Sequence, residues 1–89
     1  MKLAELRVKE EITGILLARV WKNEWKGHIG EIWVESKMIG EKTIINCYYG
    51  STQFIRLVVL EDRTIQFKVA PVGQGLTQLR WLLEQIKKR

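Results

Sequence analysis

Glu11-Ile12-Thr13-Gly14-Ile15-Leu16-Leu17-Ala18-Arg19-Val20-Trp21 is the stretch whose reading decides the fold. With a period of two, Ile12, Gly14, Leu16, Ala18 and Val20 face one side, and Glu11, Thr13, Ile15, Leu17, Arg19 and Trp21 face the other. That alternation predicts a strand. The rival is a single helix from 3 to 20. On a helical wheel its apolar residues spread all round, Arg19 falls among Val8, Ile12 and Ile15, and Gly14 sits mid-helix, where glycine is unfavourable. The strand over 11–21 is therefore the expectation.

Working outward, residues 1–10 read as a short N-terminal helix or an arm, with Leu3 and Leu6 on one face and Glu5–Lys9 as an i,i+4 pair. Downstream, 22–27 reads as a hairpin loop and 28–37 as a second strand. A turn at Gly40, a strand over 43–49, a turn at 50–52 and a strand over 53–60 follow. Glu61-Asp62-Arg63 is a tight turn, and 64–69 is the clearest strand, with Ile65, Phe67 and Val69 inward. A connector with Pro71 and Gly73 leads to a helix over 75–88, where Leu76, Leu79, Leu83 and Ile86 form one stripe. The chain thus predicts one α+β domain over 1–89, an antiparallel meander of about four to five strands with the C-terminal helix packed on one sheet face. The other face is left free to work.

On that free face the pattern gathers Arg19, Trp21, Trp33, Arg56, Gln66 and Lys68, joined by Asn46 and Tyr48 or by Tyr49, according to register. Trp25, Lys22 and Lys26 ride the first hairpin. Stacking aromatics among cations suit single-stranded nucleic acid, whose bases stack while its phosphates are held. Trp21, Trp25, Trp33 and Tyr48 would be the platform; Arg19, Lys22, Lys26, Arg56 and Lys68 the phosphate contacts. The plain reading keeps the tryptophans as a second small core. Glu31 and Glu35, on the same face as Trp33, count against a polyanion. The helical stripe Leu76, Leu79, Leu83 and Ile86 serves either the core or a dimer seam. Trp81 and Leu82, off the stripe, favour its doing both.

Bulk properties agree. A net charge of +5 and a pI near 9.6 favour a polyanion partner. Cys47 is the one cysteine, which excludes an internal disulfide and points to the cytoplasm. No run approaches the roughly 18 apolar residues of a membrane span, and no signal peptide is evident. A lone His28, a Cys47 without a nearby base and the absence of zinc-ligand spacing predict no catalytic residues, no metal and no cofactor. Val72-Gly73-Gln74-Gly75 before a helix offers amides to an anion, yet lacks the Lys-Ser/Thr of a phosphate loop.

Strands followed by a leucine-striped helix, with Trp, Arg and Lys on the open face, resemble small single-stranded-DNA-binding proteins of the transcription-coactivator, Whirly and archaeal ThermoDBP types. The Whirly Lys-Gly-Lys-Ala-Ala signature is absent. The resemblance implies sequence-tolerant binding of single-stranded DNA or RNA by a non-enzymatic homodimer or higher homo-oligomer. The competing expectation is a protein-interaction or assembly module.

Overall fold

The first turn of the chain opens a long helix. In a computed structural model that describes residues 2–69 and 76–88, the elements run α1 (Lys2–Val20), β1 (Trp25–Ile29), β2 (Ile32–Ile39), β3 (Lys42–Tyr49), β4 (Thr52–Val59), β5 (Ile65–Val69) and α2 (Leu76–Lys87). The five described strands form an antiparallel sheet in the order β1-β2-β3-β4-β5. The α+β class and the strands-then-helix order follow expectation. The connector, including the Val72-Gly73-Gln74-Gly75 stretch read above as offering amides to an anion, and Arg89 lie outside the described residues.

Residues 11–21 correct the sequence reading: they continue a helix and form no strand. Ile12, Leu16 and Val20 share a side at a period of two and also lie on one helical stripe, so alternation alone cannot separate the two forms. Val8 extends the stripe by one turn, and all four side chains are buried. Burying four aliphatic side chains contributes about 1.5–3 kcal/mol each, which outweighs roughly 1 kcal/mol for a mid-helix glycine. Gly14 is exposed, with nothing near where a Cβ would stand. Arg19 avoids the core by extending from the last turn so that its guanidinium lies 5.5 Å from the Trp25 ring centre. The expected Glu5–Lys9 pair forms at 3.1 Å.

The sheet still has five strands because the 22–27 "loop" is partly strand. Trp25 to Ile29 forms β1, and Gly30-Glu31 turns it into β2, splitting the stretch expected as one strand over 28–37. Gly30 has φ 62°, and a Cβ there would overlap the Gln85 and Ile86 carbonyls, so the turn admits only glycine. The Glu31 N–H donates to the Gln85 carbonyl at 2.9 Å and so satisfies an end carbonyl of α2.

Both helices cover the same sheet face. Val8, Ile12, Leu16 and Val20 of α1 and Leu79, Leu82, Leu83 and Ile86 of α2 meet Ile32, Val34, Ile45, Cys47, Ile55, Leu57 and Val59 in one core. Lys87 and Glu11 bridge the helices at 3.1 Å. Leu79, Leu83 and Ile86, read as dimer positions, are thus buried in the chain's own core, and Leu76 is half-buried against it. That stripe is not presented to a partner.

Candidate nucleic-acid interface

Pleating sends every second residue of the central strands away from the helices, onto a face that no described element crosses. On β2 these are Trp33, Glu35, Lys37 and Ile39. On β3 they are Lys42, Ile44, Asn46 and Tyr48. Register places Trp33 directly opposite Tyr48, and Glu35 directly opposite Asn46. The register that admits Asn46 and Tyr48, rather than Tyr49, is the one formed. Tyr49 turns to the helix side, where its ring lies 4.9 Å from that of Trp81.

Flanking strands complete the face. Lys26 and His28 of β1 pair with Glu35 and Trp33, and the His28 ring stands edge-on to Trp33 at 5.0 Å. Arg56 of β4 sits opposite Asn46, and Lys68 of β5 opposite Arg56. The side chain of Lys68 lies outside the described side chains. A register shift between Cys47 and Tyr48 leaves Phe54 without a partner on β3, and it packs on Trp81 at 5.2 Å. The same shift sets Gln53 opposite Tyr48.

A polar network holds the centre. The Trp33 indole N–H donates to Glu35 Oε2 at 2.8 Å. Asn46 Oδ1 accepts from Gln53 Nε2 at 2.7 Å and from Arg56 Nε at 3.0 Å. Around it lies a concavity of about 440 Å³, bounded by Lys26, Glu35, Lys37, Ile44, Tyr48 and Arg56. Lys26, Lys37 and Arg56 are exposed cations there and Lys42 is another further along the face, whereas Glu35 is the one carboxylate on the strands of this face.

Four residues of the expected binding set are not on this face. Because α1 replaces the expected strand, Arg19 and Trp21 leave the sheet. Trp25 is on β1 but points to the helix side, opposite buried Ser36, with Gly27 under its ring. Lys22 Nζ and Arg63 Cζ stand over Trp21 at 5.5 and 5.7 Å. Both residues hold left-handed φ, 56° and 70°. The loop carrying Lys22 is pinned to β2: Ser36 Oγ donates to the Asn23 carbonyl at 2.7 Å, and the Met38 N–H to Glu24 Oε2 at 3.2 Å. Nearby turns are acidic. A hydrogen bond with Glu41 raises the Glu61 carboxyl, and the Thr64 N–H lowers that of Asp62. Lys22 therefore faces carboxylates rather than an open cationic surface.

Trp33, Tyr48, Lys26 and Arg56 of the expected set remain together. Lys37, Lys42, His28 and Gln53 were missed. The first was legible by extending the alternation of Trp33 and Glu35 by one step, and the second by extending that of Tyr48 and Asn46 by two. Cys47 is buried on the other face, where loss of solvation pushes its thiol up to about 12, so it is no nucleophile near neutral pH. Among the described residues, no three His, Cys, Asp or Glu side chains converge as a metal site, and no helix is long and apolar enough to cross a membrane.

Comparison with family models, with curated proteins and with solved structures finds no match to this chain.

Proposed function

We propose that this chain is a non-enzymatic, sequence-tolerant binder of single-stranded DNA or RNA that works through the open face of its sheet. The observation that carries the reading is Trp33 directly opposite Tyr48 on neighbouring central strands, with Lys26, Lys37 and Arg56 around the concavity beside them and Lys42 at the far end of the same ladder. Two adjacent rings offer successive bases a stacking surface, and surrounding cations offer their phosphates a track. Nothing in this reading needs a cofactor. The test is titration with an unstructured oligonucleotide at low salt, followed by tryptophan fluorescence. Quenching should be reversed by salt. Lys37→Ala should reduce the slope of log affinity against log salt by about one. Absence of quenching by any oligonucleotide at micromolar concentration sinks the proposal.

A second reading is an assembly module, favoured by the exposure of Leu3, Leu6 and Ile65 along α1 and β5. The occupant that suits this strip is a second copy, since β5 is an outer strand of the sheet and a two-fold axis would set it antiparallel to itself. Homodimer formation would then use α1 and β5 in place of the α2 stripe. Equilibrium sedimentation of wild type against Leu6→Glu reads it directly: a dimer that survives the substitution refutes this seam. A cytoplasmic setting belongs to the same proposal, as a reducing compartment suits a free buried Cys47.

A further inference from the structure

Glu35 is out of place on a surface for polyanions. It is half-buried at the centre of the face, it forms no ion pair among the described residues, and its charge repels phosphate. A carboxylate only accepts hydrogen bonds. On a nucleic acid, the groups it can attract are therefore the N–H donors of base edges.

Asn46 supplies the complement. Arg56 Nε can only donate, so the Asn46 atom that faces it is Oδ1, which also accepts from Gln53. The Nδ2 amide then points away. It donates to no described group, and among the described residues no side-chain polar atom sealed from solvent lacks a partner, so Nδ2 keeps contact with solvent on the face although Asn46 as a whole is only 8% exposed. Directly opposite residues on antiparallel strands hold their Cβ atoms about 4.5–5.5 Å apart. Glu35 and Asn46 therefore stand as an acceptor beside a donor, next to the Trp33 and Tyr48 rings and at the concavity.

We infer that this pair reads one base of the bound strand as guanine, an inference that rests on the single-strand reading above. Guanine presents a carbonyl O6, an N1–H and an N2–H in a row. The carboxylate of Glu35 accepts from N1–H and N2–H, each oxygen having capacity beyond the Trp33 bond, while Asn46 Nδ2–H donates to O6. Adenine and cytosine turn an unprotonated ring nitrogen toward the carboxylate. Uracil and thymine offer one N–H between two carbonyls. The face is then tolerant of sequence along most of its track and selective at one nucleotide.

The test is anisotropy with labelled oligodeoxyadenylate 12-mers carrying one central dG, inosine or dA. The dG strand should bind about five- to a hundredfold more tightly than all-dA, with inosine between them because it lacks the N2 amino group. Glu35→Gln keeps an acceptor for the Trp33 indole but loses the carboxylate. It should abolish the dG preference, so that the dG, inosine and all-dA strands bind alike. Equal affinity for the three strands, with salt-sensitive binding retained, overturns the guanine site and leaves the single-strand reading standing. A dG preference that persists in Glu35→Gln overturns it as well. Failure of every strand to bind overturns both.

Discussion

Trp25 and Trp33 lie on neighbouring strands of one sheet, and they do different work. Trp25 turns to the helices, with Gly27 under its ring and Arg19 stacked upon it. Trp33 turns outward, beside Tyr48 and His28, with its indole held by Glu35. Both rings are half-buried and both have a cation or carboxylate as neighbour, so neither exposure nor charge distinguishes them. What separates them is the parity of their positions on the pleated strands. One face is filled by two helices; the other carries a polar network and cations that bury nothing. An aromatic on the first face holds the fold, whereas an aromatic on the second is free to meet a ligand.

The widest gap between the two faces should be in stability. Leu16→Ala removes a fully buried side chain and should cost about 2–5 kcal/mol in denaturant unfolding, whereas Trp33→Ala should cost much less. Equal losses would mean that the open face is core after all. Next comes affinity. Trp33→Ala and Tyr48→Ala should each weaken oligonucleotide binding by about 1–3 kcal/mol, and Trp25→Ala should lower stability while leaving affinity unchanged. The reverse pattern for Trp25 and Trp33 would break the assignment of faces.

Cys47 probes the covered face by pH. Its thiol rises from 9.0 to about 12 on folding, so between those values the folded chain binds more protons than the unfolded one. The contribution of Cys47 to stability is therefore constant below pH 9 and falls as pH rises toward 12, by up to about 1.4 kcal/mol per unit. Urea unfolding of Cys47→Ala against wild type across this range should show that slope removed. The smallest effect concerns Gly14. Because its surroundings are empty, Gly14→Ala should stabilise the chain by about 0.5–1 kcal/mol, read as a higher unfolding midpoint. A loss instead would show that α1 needs a bare backbone there.

The two helices differ in how far they could be read. In α2, Leu79, Leu83 and Ile86 repeat at intervals that only a helix brings to one side, and the element lies within a residue or so of where the pattern put it. In α1, the buried aliphatic residues recur every fourth place, an interval that fits a strand as well, while Leu3, Leu6, Ile15 and Leu17 lie off the stripe and blur it. The error carried into the site. The alternation that makes 11–21 a strand also puts Arg19 and Trp21 on the sheet and leaves Trp25 to the loop that follows. Trp33 and Arg56 keep their places on the face, and Lys68 its register opposite Arg56, because their strands are bounded by Gly40, Gly50 and the Glu61-Asp62-Arg63 turn.

Local pattern alone therefore determined the α+β class, strands β3 to β5, the C-terminal helix and the outward places of Trp33, Glu35 and Arg56. Alternation and turn residues act over a few positions and need no partner. Tertiary structure decided the rest: that α1 is a helix, that it joins α2 on one side, and that Asn46 and Tyr48 stand opposite Glu35 and Trp33. A period of four serves a helix or a strand until something covers it. Which residues meet across strands is set by hydrogen-bonded register, and no single segment contains that information.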